Sequence, residues 1–159
     1  MRSPKNRSCQ TASPLSSIGQ ESFYGNRGGT GMAQKRAKIR TRSILVVEDD
    51  EMTLRMLDKV LSGAGYAVIP ASNGIDALNL ARNKRPDLLI LDIVLPGLDG
   101  ILVASRLKDD PKTRDIPIIF FSSLEEKDLE KRKDASSGWH FLRKPCNREE
   151  LLQEIAHYL

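Results

Sequence analysis

Short apolar runs alternate with longer amphipathic stretches from Ser43 to the last residue of the chain. Runs of four or five apolar residues are typical of strands that are buried on both faces of a parallel sheet. Between these runs, apolar residues recur at the spacing of a helix that buries one face. The pattern predicts five strands, at 44–47, 66–70, 88–91, 117–121 and 139–142. It also predicts five helices, at 51–62, 73–85, 101–108, 124–135 and 147–159.

The alternation of strands and helices predicts an α/β fold, a doubly wound parallel sheet with helices on both faces. In such sheets ligands bind beyond the carboxyl ends of the strands. The residues of interest are therefore the polar ones that directly follow each apolar run. These are Glu48, Asp49 and Asp50 after the first run, Asp92 after the third, Ser122 after the fourth and Lys144 after the fifth.

This set of side chains is suited to phosphoryl transfer. Several acids at one sheet edge repel one another unless a cation lies among them, and their hard oxygen ligands suit Mg²⁺. A lysine and a hydroxyl can stabilise the charge on phosphoryl oxygens while a carboxylate attacks phosphorus. No GxxxxGK[ST] nucleotide loop is present, so we expect no ATP binding. For the first acids a plain alternative stays open, because Asp50 or Glu51 could simply cap the following helix.

Charge divides the chain of 159 residues into two unlike parts. The formal net charge is +4, but residues 1–43 carry nine bases and one acid, so residues 44–159 have a net charge of −4. We expect a disordered, basic N-terminal extension at 1–43 followed by a domain at 44–159. Met32 is an alternative translation start, which would place residues 1–31 outside the native protein. Two cysteines indicate a reducing compartment, hence the cytoplasm, and no apolar run is long enough for membrane insertion.

Four segments carry a resemblance to a known family, and each lies at the carboxyl end of a predicted strand. They are VEDDE at 47–51, LDIVLPGLDG at 91–100, IIFFSS at 118–123 and FLRKP at 141–145. Together they resemble the receiver domain of two-component response regulators, of the stand-alone type. The resemblance implies a flavodoxin-like (βα)₅ fold with strand order 2-1-3-4-5.

The resemblance also implies a phosphorylation site. Asp92 would accept the phosphoryl group, and Lys144 would pair first with its carboxylate and then with the phosphoryl group. Asp49 and Asp50 would be the acidic pair that holds Mg²⁺, Asp50 directly and Asp49 through water. The backbone carbonyl of Val94 would complete the protein ligands of the metal.

Two further positions correspond to the conformational switch of the family. Ser122 would move toward the phosphoryl oxygens, and Phe141 stands at the aromatic switch position. Phe141 lacks the hydroxyl of the tyrosine that is frequent in the family, so its switching would be steric. Ser137 replaces a usual glycine. The apolar side chain of Val94 lies where the family tunes hydrolysis, so the lifetime of the phosphoryl group stays open.

The implied function is that of a single-domain response regulator. It would take a phosphoryl group from a histidine kinase or a histidine phosphotransfer protein, and signal in trans to an unidentified target through its altered surface. Its only expected activity is its own phosphorylation and dephosphorylation. One alternative is a phosphorylation-independent interaction module of the same fold. Another is a phosphohydrolase, although such enzymes need a second acid where Val94 stands. Nucleic acid is expected to bind only weakly, through residues 1–43.

Overall fold

A single parallel sheet organises the computed structural model, which describes residues 40–124 and 139–159. The strands are β1 (Ser43–Val47), β2 (Ala67–Ala71), β3 (Leu88–Leu91), β4 (Ile118–Ser122) and β5 (His140–Arg143). They lie in the order β2-β1-β3-β4-β5, and all four neighbouring pairs are parallel. The predicted doubly wound α/β fold and its strand order 2-1-3-4-5 are therefore confirmed.

Four helices cover the sheet in the part of the chain that is described. They are α1 (Glu51–Gly63), α2 (Gly74–Lys84), α3 (Gly100–Asp109) and α4 (Arg148–Tyr158). The predicted helix at 124–135 lies outside the described residues except for Leu124, as do Ser137 and residues 1–39 of the predicted extension. The described residues belong to the second of two units into which the chain divides, Lys38–Leu159. No helix among them is long and apolar enough to cross a membrane.

The period of two along the strands explains the two cores. Leu45 and Val47 of β1 pack into a core with apolar residues of α2 and α3. Ile44 and Val46 point to the opposite face and pack with α1 and α4. Because helices cover both faces, all four side chains are buried, and β1 is apolar from Ile44 to Val47 instead of alternating with polar residues.

Polar side chains mark where the helices begin. The side chain of Asn73 accepts a hydrogen bond from the backbone N of Asp76 at 2.9 Å, which caps α2. Asn147 and Glu150 form the predicted reciprocal capping box at the start of α4. These caps satisfy backbone N–H groups that have no partner inside the helix.

Three strands begin and end one residue later than the sequence predicts. For β2 the reason is its pairing with β1, because Val47 lies opposite Ala71 and the backbone N of Glu48 donates to the carbonyl of Ala71 at 3.0 Å. In the same way, the pairing of Ser122 with Arg143 extends β4 and β5. The shift moves Ser122 from the loop into the last position of a strand.

Candidate functional site

The carboxyl ends of four strands place the candidate site at one edge of the sheet. Glu48 follows β1, Asp92 follows β3, Ser122 ends β4 and Lys144 follows β5. Backbone hydrogen bonds hold the loops there, because the N of Asp92 donates to the carbonyl of Val47 at 3.0 Å and the N of Lys144 donates to that of Ser122 at 2.9 Å. The parallel register thus brings together residues that are up to 96 positions apart in the sequence.

Lys144 lies between two buried carboxylates. Its Nζ is 2.5 Å from Oε2 of Glu48 and 2.7 Å from Oδ2 of Asp92. It also lies 5.1 Å from the centre of the Phe121 ring. Burial alone would lower the pKa of Lys144, but the hydrogen bonds that it donates to the two carboxylates, together with their negative charge, outweigh burial and raise the pKa. The ammonium group is therefore held in its charged form beside the acids.

Three carboxylates form a cluster that could hold a metal ion. One oxygen each from Glu48, Asp49 and Asp92 lies within 4.8 Å of the others. Glu48 and Asp92 are buried, whereas Asp49 is exposed, so the cluster opens toward solvent on one side. Burial raises the pKa of Glu48, although its contact with Lys144 acts in the opposite direction. Hard oxygen ligands in a partly open site fit a small divalent cation.

Asp50 has a different place from the one that the sequence analysis gives it. Its carboxylate accepts hydrogen bonds from the backbone N of Thr53 at 2.8 Å and from Thr53 Oγ1 at 2.6 Å, and it caps α1. These hydrogen bonds lower the pKa of Asp50. Asp50 is expected from the sequence to bind the metal directly, but in the structure its side chain turns to the start of α1, which begins at Glu51, and Glu48 lies with Asp49 in the cluster that could hold a metal ion.

The other predicted site residues surround Asp92 to different degrees. The backbone N of Val94 donates to Oδ1 of Asp92 at 3.1 Å, while the Val94 side chain is exposed. Ser122 is buried, and its Oγ accepts a hydrogen bond from the backbone N of Leu124 at 3.3 Å. Phe141 stacks on Phe120 with ring centres 5.0 Å apart, on the core side of β5. The structure therefore gathers Asp92, Lys144 and Asp49, with Ser122 and Phe141 on the two neighbouring strands.

Comparison with known proteins agrees with this architecture. The family model of the response regulator receiver domain matches residues 44–156. The chain belongs to this family. The polar-differentiation response regulator DivK of Brucella anthropi is 35% identical over 118 residues, which are 74% of this chain and 96% of DivK. DivK of Brucella ovis is 34% identical over 119 residues, 75% of this chain and 97% of that protein.

Solved receiver structures superpose on this domain. The chemotaxis protein CheY4 of Vibrio cholerae matches with a TM-score of 0.70 at 26% identity, covering 76% of this chain and 100% of that one. The receiver domain of the sensor histidine kinase PA1611 from Pseudomonas aeruginosa matches with a TM-score of 0.68 at 28% identity, covering 75% and 98%. That structure contains a magnesium ion coordinated in its active-site cleft. Receiver domains in general interact with histidine kinases and phosphotransfer proteins.

Proposed function

We propose that Asp92 accepts a phosphoryl group from the phosphohistidine of a histidine kinase or phosphotransfer protein. The observation that carries the proposal is the position of Lys144, which bridges the buried Asp92 and Glu48 beside the exposed Asp49. An ion pair that served only stability would be weakly favoured, because two buried charges cost desolvation energy. A carboxylate held between a fixed cation and an open acidic cluster is suited to receive a phosphoryl group.

The transfer exchanges one bond to phosphorus for another. A carboxylate oxygen of Asp92 forms a bond to phosphorus while the bond between phosphorus and the histidine nitrogen breaks. The imidazole keeps the electron pair of the broken bond and takes a proton from solvent. Lys144 balances the charge of the incoming group, and the backbone N–H of Val94 fixes the orientation of the carboxylate.

The acidic cluster fits Mg²⁺. Glu48, Asp49 and Asp92 would hold the ion, with the carbonyl of Val94 as a further ligand. The carboxylate of Asp50 would stay bonded to Thr53 and would not bind the ion. When bound, the ion supplies positive charge to the phosphoryl oxygens. The magnesium site of the PA1611 receiver domain supports this assignment.

We further propose that Ser122 and Phe141 transmit the change to the surface that a target protein reads in trans. The 3.3 Å contact of Ser122 with Leu124 is long for a hydrogen bond to a hydroxyl oxygen, so a phosphoryl oxygen can compete for this side chain. Phe141 would respond by a steric shift against Phe120. A cytoplasmic location and a separate basic extension remain part of the same proposal, but the extension ends before Arg40, because Arg40 and Arg42 contact Asp87 and Ser43 belongs to β1.

Intact-mass measurement with a small phosphodonor and Mg²⁺ tests the proposal. We expect the wild-type chain to gain one phosphoryl group and Asp92→Asn to gain none. Asp50→Asn is the matched control, since it removes a neighbouring charge outside the cluster, and it should label like wild type. Absence of labelling of the wild type at every Mg²⁺ concentration would favour a phosphorylation-independent interaction module.

A further inference from the structure

The edge of the sheet opposite the acidic site is strongly basic. Strands begin at this edge, and α2 and α3 end there because they run antiparallel to the strands. Nine bases and four acids lie in the described segments 40–42, 82–87 and 106–115. We call the bases the basic pole: Arg40, Arg42, Arg82, Lys84, Arg85, Arg106, Lys108, Lys112 and Arg114. All nine are exposed, so the pole is a surface that a partner can reach.

Ion pairs connect the parts of the basic pole into one surface. Arg40 and Arg42 contact Asp87 at 3.1 Å and 3.2 Å, which ties the start of β1 to the loop after α2. Arg82 contacts Asp110 at 2.7 Å, which ties the end of α2 to the end of α3. The pole is therefore held in place by three contacts between distant segments.

The side chains of five of the nine bases form neither an ion pair nor a hydrogen bond with any described residue. They are Lys84, Arg85, Arg106, Lys112 and Arg114, whereas Lys108 donates hydrogen bonds to two backbone carbonyls. Bases in the last turn of a helix interact favourably with its dipole, which accounts for Lys84 and Arg106. The helix dipole does not account for Lys112 and Arg114, which lie in the loop after α3. The excess charge is thus available to a ligand.

The chemistry of the pole favours nucleic acid over a membrane. A membrane-binding surface combines bases with large apolar side chains, but the exposed large apolar residues of the described chain all lie elsewhere. They are Met52, Met56, Ile75, Val94 and Leu102. Segments 40–42, 82–87 and 106–115 also contain no aromatic residue on which single-stranded bases could stack. Six of the nine bases are arginines, and one planar guanidinium group can donate to two phosphate oxygens at once.

We propose that the basic pole binds the phosphate backbone of duplex nucleic acid without reading its sequence. This goes beyond the phosphoryl chemistry proposed for the opposite edge and does not depend on it. The sequence that leads into Arg40 has the same sign of charge, with Lys35, Arg36 and Lys38. The interaction is electrostatic, so its affinity should fall steeply with salt concentration.

Fluorescence anisotropy of the full chain with a labelled 20-base-pair duplex tests this proposal, with DNA and RNA duplexes of the same sequence in separate arms. The test variant is Lys84→Gln/Arg106→Gln/Arg114→Gln. The control is Arg55→Gln/Lys59→Gln/Arg148→Gln, which removes three bases from α1 and α4. Both variants lower the formal net charge from +4 by the same three charges, so a difference in duplex affinity between them depends on where the removed bases lie. Equal midpoints of thermal unfolding for the two variants would show that a loss of folding does not cause the difference in affinity.

We expect the test variant to bind at least about tenfold more weakly at low salt, with a salt slope smaller by about 2 to 3, while the control stays within about twofold of wild type. Binding to either duplex with this pattern supports the proposal, and the two arms show which duplex is preferred. Equal binding by wild type and test variant would overturn it and assign any affinity to residues 1–39. The proposal would also be overturned if the test variant bound the duplexes as well as wild type does but no longer bound vesicles containing phosphatidylglycerol.

Discussion

Among the single residues of the site, Glu48 is an acid that the sequence places after the first strand but that the sequence analysis does not assign as a metal ligand. Three acids in a row follow β1, and sequence alone does not show which of them point to the site. Glu48 still continues the strand, because its backbone N bonds to Ala71, and its side chain reaches Lys144. Asp50 already belongs to the start of α1. The sequence signal that could have identified Asp50 as the cap of α1 is Thr53, three residues later, because its backbone N and its hydroxyl both donate to the Asp50 carboxylate.

This difference predicts that two adjacent substitutions affect Mg²⁺ affinity to very different extents. Asp49→Asn removes a carboxylate from the cluster, so we expect Mg²⁺ affinity to fall by about tenfold or more, as for loss of a metal-ligand interaction worth about 1.4 kcal/mol. Asp50→Asn keeps a side-chain oxygen that can cap α1, so Mg²⁺ affinity should stay near that of wild type. Isothermal titration calorimetry measures both. A larger loss in Asp50→Asn than in Asp49→Asn would contradict the assignment.

Gly100 sets the shape of the loop that carries Asp92. A Cβ atom at this position would lie 2.1 Å from the carbonyl oxygen of Asp92, a backbone atom that cannot move aside as the end of a side chain can. We expect Gly100→Ala to lower the free energy of unfolding by about 2 kcal/mol or more, through overpacking against the backbone. Urea unfolding measures the effect.

Gly63→Ala provides the matched control for that substitution. A Cβ at Gly63, the last residue of α1, meets no atom within 4 Å, and its backbone angle is not positive. Alanine should leave stability unchanged or raise it slightly, because it restricts the unfolded chain. Similar losses in the two variants would show that Gly100 has no special steric role.

For the helices and strands, the apolar pattern predicts existence and type well and boundaries less well. The four apolar residues of β3 and the caps Asn73 and Asn147 are strong local signals, and the corresponding elements form where the sequence predicts them. The ends of β2, β4 and β5 depend on pairing with neighbouring strands. Such pairing is a contact between distant parts of the chain, which local sequence does not encode.

The contacts of Asp87 at the start of β1 should stabilise the folded state to an extent that depends on pH. Asp87 is almost buried and accepts hydrogen bonds from the backbone N of Ser43 at 2.8 Å and from its Oγ at 3.1 Å. Burial alone would raise the pKa of Asp87, but the hydrogen bonds from Ser43 and the contacts with Arg42 and Arg40 lower it below its ordinary value of 3.8. The ionised carboxylate therefore stabilises the folded state above that value.

We expect Asp87→Asn to lower the free energy of unfolding by about 1 to 2 kcal/mol at pH 7, because hydrogen bonds to a charged group are lost. The difference from wild type should stay constant down to about pH 4 and shrink below it, as Asp87 of the wild type becomes protonated. Urea unfolding across this pH range measures it. Asp58→Asn, at an exposed carboxylate on α1, is the control and should show little effect. A stability difference between wild type and Asp87→Asn that grows toward low pH would contradict the stabilising role of the ionised Asp87 carboxylate.

Over the whole domain, charge is separated between the two edges of the sheet. The net charge of −4 in residues 44–159 is a sum over both edges and therefore hides this separation. The rule that gathers acids after the strands also gathers the bases that precede them, such as Lys84 and Arg114. The direction of the separation thus follows from topology, whereas the pairing of Asp87 and Asp110 with particular arginines required the three-dimensional structure.

Locating the phosphoryl group in the chain tests whether Asp92 is the residue that accepts it. After reaction with a small phosphodonor and Mg²⁺, borohydride reduces an aspartyl phosphate to homoserine, which peptide mass spectrometry locates in the chain. We expect homoserine at position 92 and at no other acidic residue, with none in Asp92→Asn. An unmodified Asp92 in a labelled chain, or homoserine at position 49 or 50, would contradict it.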